Sequence, residues 1–297
     1  MARALLIHNP SAARTEPRVL DTVCGVFATQ GWELEVAGTK HPRHAEELAR
    51  LGAQDGVDRV IVYGGDGTTM EVVKGLIHSD VSIALVPGGT GNVLAGNLRL
   101  PRQPAAAARI AASGTPKAID VGVMARADGD HYFAVACGAG FDAEFLRATT
   151  QQAKRRWRMG AYVAQVWESL GNLQVVGHRI TVDDKTFEAQ AVMVLVANCG
   201  EIIPPFFRLR EGIVPDDGVF DVAVINASTV AEGVGVAARM LTGRLESNDR
   251  VHFASGSVVT VETETPRPVE LDGEVAGETP FTARVLPGAM SIVMPRE

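Results

Sequence analysis

Apolar positions in the first 120 residues switch repeatedly between two periods. Residues 3–8, around the apolar run Ala4 to Ile7, and the run 60–63 show the pattern of buried strands. Val19, Val23, Val26 and Phe27 recur at helical spacing and stop before Gly31. Glu33 to Val36 predicts a second strand, and Pro42 to Leu51 a helix with Ala45, Leu48 and Ala49 turned inward. Ser82 to Val86 predicts a further strand and Pro104 to Ala112 an alanine-rich helix. Such alternation predicts a Rossmann-like α/β domain with a parallel sheet. After a strand at Lys117 to Met124 the pattern changes, and strands dominate: 131–137, 175–182, 187–198, 219–226, 251–253, 257–262 and 281–286. Turns such as Asp183-Asp184 and Asp216-Asp217-Gly218 link them, with helical pieces at 142–151, 159–170 and 229–241. The boundary falls near Gly122, giving an α/β domain over 1–122 and a mostly antiparallel β domain over 123–287.

Composition narrows the class. At 297 residues the chain is long for one core, which favours two domains. With 46% hydrophobic and 21% charged residues it reads as a folded soluble protein rather than a disordered one. A net charge of −7 argues against nucleic-acid binding over the whole surface. Cys24, Cys137 and Cys199 are sparse, odd in number and without CxxC spacing. That usage favours small core residues, a reducing compartment and no zinc site. No apolar run approaches the ~20 residues of a spanning helix, and the first residues are too short for a signal segment. A cytoplasmic protein without a transmembrane segment is expected, with room for peripheral membrane contact.

The candidate chemistry centres on Val60 to Val73. An apolar strand stops at Gly64-Gly65-Asp66-Gly67, and Thr68 and Glu71 then make a capping-box spacing ahead of a helical period. Strand, glycine turn and helix start together aim backbone N–H groups at one point, which suits a phosphate. A carboxylate beside a phosphate calls for a metal ion between them, so Asp66 suggests Mg²⁺; the plainer alternative is a helix-capping acid. Pro10 turns the chain after the first strand and exposes Asn9 and Ser11, while Pro87-Gly88-Gly89-Thr90-Gly91-Asn92 is a second glycine-rich turn at a strand end. Crossovers of one hand bring Asn9, Thr39, Asp66 to Thr69 and Thr90 to Asn92 to one sheet edge, where ligands of open α/β sheets collect. Neither a Walker loop nor GxGxxG is present. Asp120 places a charge in an apolar strand, as a site acid or as a strand-end surface acid.

Gly64-Gly65-Asp66-Gly67-Thr68 with Glu71-Val72, together with Pro87 to Asn92, resembles the diacylglycerol kinase catalytic-domain family, which includes sphingosine- and ceramide-kinase-like proteins. Asn9-Pro10-Ser11, Gly138-Ala139-Gly140-Phe141-Asp142, Asp217-Gly218 with Asp221-Val222, and Leu271-Asp272-Gly273-Glu274 look like further signatures of that family, in the right order along nearly the whole chain. The resemblance implies an NAD-kinase/diacylglycerol-kinase-like architecture: an ATP-binding α/β domain, a β-sandwich lipid-substrate domain, and a cleft for ATP, Mg²⁺ and the lipid head. It also implies that 288–297 returns to the first domain. Carried over by position, ATP would lie against Asn9, Thr39, Gly64, Gly65, Asp66, Gly67, Thr68, Thr69, Met70, Thr90, Gly91 and Asn92. Asp272 and Glu274 would supply the catalytic acids, with the choice of base open. Mg²⁺ would be held by Asp66 and Asp120, and a further ion near Val214, Asp217 and Val219. The acidic turn at Asp217 also offers hard oxygen donors on its own account, although apart from the resemblance a plain acidic β-turn is the reading its residues favour. Two positions depart from the family: Met70 where it usually has Asn, and Val93 where it commonly has Asp.

The activity so implied is Mg²⁺-dependent transfer of the ATP γ-phosphate to a lipid hydroxyl. An NAD kinase, which shares a similar glycine turn, and a nucleotide-binding protein without catalysis are the alternatives. The partner is a lipid substrate at a membrane surface, not nucleic acid, and a homodimer is compatible with the sequence. Lys154-Arg155-Arg156-Trp157-Arg158 and Ile202 to Arg210 set basic residues beside aromatic ones, a composition suited to an anionic bilayer; a solvated helix turn and core-facing phenylalanines are the plainer readings.

Overall fold

The structure, a computed structural model, describes residues 1–12, 16–126, 129–140, 174–204 and 207–296. Residues 142–151 and 159–170, the Lys154–Arg158 stretch, the Phe141-Asp142 pair and Pro205-Phe206 lie outside the described residues. The chain divides into two compact units, Met1–Asp120 with Pro287–Glu297 and Val121–Leu286.

The first unit is an α/β layer structure. It comprises β1 (Arg3–His8), α1 (Pro17–Thr29), β2 (Glu33–Gly38), α2 (His44–Gln54), β3 (Arg59–Gly64), α3 (Asp66–Leu76), β4 (Ser82–Pro87), α4 (Val93–Asn97) and α5 (Pro104–Ser113). The strands run parallel in the order β2-β1-β3-β4, so the C-terminal ends of all four share one edge. Leu6, Ile61, Tyr63, Ala84 and Val86 pack against Val23 and Phe27 of α1 and the small face Ala107, Ala108, Ala111 of α5. Alanine is suited to that seam because it adds helix propensity without bulk. On α3, a Cβ at Gly75 would stand 2.5 Å from the Glu46 carbonyl oxygen of α2, so the two helices close only over a glycine. Arg59 is a buried cation: it stacks on Trp32 at 4.8 Å, donates to Ser82 Oγ at 3.1 Å and caps the Ala111 carbonyl.

Strand β5 (Thr115–Arg126) leads into the second unit, which is built of β6 (Gly129–Phe133), β7 (Ala136–Ala139), β8 (Val176–Val182), β9 (Lys185–Ala191), β10 (Met193–Ala197), β11 (Glu201–Ile203), β12 (Phe207–Arg208), β13 (Phe220–Ile225), α6 (Val230–Thr242), β14 (Val251–Gly256), β15 (Val258–Thr263), β16 (Pro268–Leu271), β17 (Glu274–Glu278) and the first part of β18 (Phe281–Met294), up to Leu286. One antiparallel sheet has the order β14-β13-β10-β7-β16-β17. Facing side chains come from β5, β6, β8, β15 and the first half of β18, and Ile180, Val259 and Phe281 meet Val194, Val222 and Val269 in one core. Phe133 stacks on Phe220 at 5.4 Å, and Gly122 leaves the space that the Phe133 ring fills. This is an antiparallel β-sandwich.

Four expectations change. The strand expected over 131–137 breaks at Ala134-Val135, and that over 187–198 breaks at Val192. Both breaks lie inside apolar runs, where periodicity carries no end signal. The strand expected over 281–286 runs on without a break into the stretch expected to return to the first domain, forming β18, whose Ile292 pairs in parallel with Ile83 of β4. Finally, β16 and β17 form a hairpin with Asp272-Gly273 as its two-residue turn, at φ 48° and 82°.

Candidate functional site

At the C-terminal edge of the parallel strands, the two glycine turns interlock. The Gly88 N–H donates to the Gly64 carbonyl at 2.8 Å. A Cβ on Gly89 would stand 2.5 Å from the Gly65 Cα, so the backbones cross at van der Waals contact. Asp66 completes the junction: its two oxygens accept from the Asn92 and Val93 N–H groups, at 2.8 and 2.6 Å. The carboxylate therefore caps α4 from a neighbouring element, a favourable place for negative charge. Asn92 sits at φ 52°, and its side-chain amide clasps Gly89, accepting from the N–H at 3.0 Å and donating to the carbonyl at 2.8 Å. A water-sized cavity lined by Val62, Gly64, Asp66, Thr69, Leu85 and Ala95 lies beneath.

The expected capping box does not form. Helix α3 begins at Asp66 with Gly65 as its N-cap, three residues before Thr68 could serve. Thr68 and Thr69 are buried instead: Thr69 Oγ1 donates to the Gly65 carbonyl at 3.1 Å, and Thr68 Oγ1 accepts from Asn9 Nδ2 at 3.3 Å. Glu71 reaches across to α2, accepting from the Arg43 and Ala45 N–H groups at 3.0 and 3.1 Å. Both acids of the motif thus cap helices other than their own, which sequence spacing cannot reveal.

Of the other expected residues of this unit, Asn9, Thr39 and Thr90 to Asn92 follow the C-terminal ends of β1, β2 and β4 at the same edge, whereas Asp120, beside Gly288, lies toward the N-terminal end of β4. Asn9 is anchored by Thr68 and by the Ser11 N–H at 2.9 Å, and the Thr39 N–H donates to the His8 carbonyl at 2.9 Å. Gly67, Thr90 and Gly91 are exposed, while Met70 is half-buried. Asp120 is 3% exposed and accepts from the Gly288 N–H at 2.7 Å. A direct consequence concerns the crossing glycines. Gly89→Ala should destabilise the protein by about 1–3 kcal/mol through overpacking. Urea unfolding would measure it, and a change under about 0.5 kcal/mol would show that the crossing tolerates a methyl group.

In the second unit the two expected acids behave differently. Asp272 is half-buried, and its carboxylate accepts three backbone N–H groups, from Ala134 at 2.8 Å, Val135 at 2.9 Å and Ala136 at 3.0 Å. It fastens the break between β6 and β7. Asn198 grips the same bend from the other side, with Nδ2 on the Ala134 carbonyl at 2.9 Å and its N–H on the Val135 carbonyl at 2.8 Å. Sequence reading missed Asn198, whose position at the end of an apolar run was the available signal. Glu274, two residues on, opens β17 and is exposed. Asp217 accepts from the Val219 N–H at 3.2 Å in an exposed turn, with Val214 44% exposed beside it.

Burial raises the Cys137 thiol well above its ordinary range, with Glu270 and Asp272 adding to the effect, and burial also raises Cys199. Neither is a nucleophile at neutral pH. Within the basic stretch at 202–210, the described residues 207–210 look inward. Arg208 pairs with buried Glu201 at 2.7 Å, Arg210 pairs with buried Asp221 and lies over Phe253, and Phe207 and Leu209 are buried. Among the described residues, no helix is long and apolar enough to cross a membrane, which leaves membrane-crossing strands unaddressed.

Comparison with known proteins matches residues 3–124 to the diacylglycerol kinase catalytic domain and residues 135–294 to the YegS C-terminal NAD kinase β-sandwich-like domain. A probable lipid kinase YegS-like of Chromohalobacter salexigens is 29% identical over 98% of this chain and 92% of its own length. A diacylglycerol kinase of Bacillus subtilis is 28% identical over 100% of this chain and 98% of its own. The crystal structure of a candidate diacylglycerol kinase from Bacillus anthracis superposes with a TM-score of 0.83 at 26% identity, covering 98% of this chain and 95% of that one.

Proposed function

Because this chain belongs to the family that joins a diacylglycerol kinase catalytic domain to a YegS-type β-sandwich-like domain, we propose that it is an ATP- and Mg²⁺-dependent kinase of a lipid hydroxyl. One observation carries the nucleotide half of this reading: the α3 N-terminus follows directly on a parallel strand and is braced by the second glycine turn. Helix geometry leaves the first N–H groups of α3, at Asp66, Gly67 and Thr68, without intrahelical acceptors. These groups and the helix dipole fit phosphate oxygens. Gly67 adds no side chain to obstruct their approach, and Asn9, Thr39 and Thr90 to Asn92 border the same edge.

The donor set also fits Mg²⁺. Each Asp66 oxygen accepts one N–H and retains a second lone pair, so the residue can hold a hard cation directly or through water. Asp120 is a weaker candidate because it is buried against Gly288. Asp217, with carbonyls of Val214 and Val219, offers oxygens for a second ion. When bound, ATP supplies the phosphoryl group and Mg²⁺ neutralises its oxygens. The chain's own part is to hold the phosphates at the α3 N-terminus and to take the proton of the acceptor hydroxyl. We assign that proton to Glu274, since Asp272 is committed to three backbone donors. A carboxylate is a weak base for an alcohol, yet it serves when proton removal lags behind bond formation in a loose transition state.

Labelled ATP with Mg²⁺, offered with diacylglycerol, a sphingoid base, phosphatidylglycerol or NAD, tests the proposal. Label in a diacylglycerol product, lost on chelation of Mg²⁺, is the expected result. Label in NAD would make the chain an NAD kinase, and no transfer to any acceptor would leave a binding protein.

A further inference from the structure

At the start of α2, His41, His44 and Glu47, none of them among the residues assigned above, bring one ring nitrogen each and a carboxylate oxygen within 4.8 Å of one another. It is the one cluster of three such ligands among the described residues. The backbone prepares it. His44 and Glu47 stand three apart on one helical face. Arg43, at φ 67°, turns the preceding segment back so that the His41 ring lies 4.5 Å from the His44 ring. The Glu71 carboxylate fixes that turn by accepting the Arg43 and Ala45 N–H groups.

We propose that His41, His44 and Glu47 form a zinc site. The Pro42 carbonyl can only accept, so the His41 Nδ1 beside it at 3.0 Å carries the proton and Nε2 keeps its lone pair. A ring nitrogen donated to a backbone carbonyl is the arrangement that orients metal-binding histidines. His44 Nδ1 accepts from the Lys40 N–H at 3.1 Å, so that nitrogen also holds a lone pair. On coordination the exposed Lys40 amide turns to water, a small loss for a solvated hydrogen bond. Two imidazoles and a carboxylate, with water in a fourth position, are a zinc donor set, whereas Mg²⁺ prefers oxygen alone. Tetrahedral zinc holds its donors roughly 3.3 Å apart. His41 and Glu47 are exposed and His44 half-buried, so side-chain rotation closes the remaining gap. The sparse cysteines argue only against a thiolate site and leave this one untouched. Occupancy ties the segment from Thr39 to His41 onto the first turns of α2.

Isothermal titration of the full chain with Zn²⁺, in excess Mg²⁺, tests the site without any reference to kinase activity. One zinc per chain is expected, with His41→Ala and His44→Ala each weakening binding about tenfold or more and Glu47→Gln weakening it less. His252, exposed on β14, is the control whose replacement leaves binding unchanged. Absence of saturable binding, or equal affinity in the His41→Ala/His44→Ala double variant, would overturn the proposal.

Discussion

Glu274→Gln is expected to lower turnover by about a hundredfold or more while the protein stays folded. The size follows from the general-base role proposed for it, since such a role contributes about 10²–10⁴-fold where a positioned side chain takes the proton. The folded state should be indifferent, because Glu274 is exposed at the first residue of β17 and glutamine keeps its shape. Replacements of that kind stay within about 0.5 kcal/mol, or about 2 °C in Tm for a chain of this size. Steady-state rates with saturating ATP and lipid, beside a thermal melt, check both halves. Near wild-type turnover in Glu274→Gln would remove the residue from the mechanism.

Asp272→Ala should have the opposite signature. Ala134, Val135 and Ala136 are buried, and the substitution strips all three N–H groups of their acceptor. A buried donor left unsatisfied costs about 1–3 kcal/mol, so the three together cost roughly 3–6 kcal/mol after partial relaxation. That is a large share of the ~5–15 kcal/mol that holds a domain folded. Urea unfolding should reveal it, and hydrogen exchange should show the bend at 134–136 losing protection first. Asp272→Asn keeps one acceptor oxygen and should fall between. Its folded fraction, assayed below the melting transition, separates the two acids: normal turnover per folded molecule supports Glu274 as base, and a folded but inactive Asp272→Asn would reverse the assignment.

Much of the first unit was legible. Three of its four strands centre on apolar runs, Ala4 to Ile7, Val60 to Tyr63 and Ile83 to Val86, while β2 alternates with glutamates, and both glycine turns sit where their spacing predicts them. What spacing could not convey is partnership across the chain. Thr68 and Glu71 look like a capping box only while helix start is judged locally; in three dimensions Gly65 ends the strand so tightly that α3 starts earlier, and Glu71 serves α2. In the second unit the Asp272-Gly273 pair was a hairpin signal in its own right, since both residues tolerate positive φ. The strands it joins, β16 and β17, are only four and five residues long, too short for a clear period. Long-range acceptance by Asp272 of N–H groups some 136 to 138 residues away has no counterpart in any local pattern.

The crossing of Gly65 over Gly89, sealed by the Asp66 carboxylate, has a practical corollary for redesign. Two segments more than twenty residues apart must be treated as one transplantable cassette. Grafting either loop alone from a relative would import a mismatched half, whereas moving both with their shared acid carries the whole joint intact.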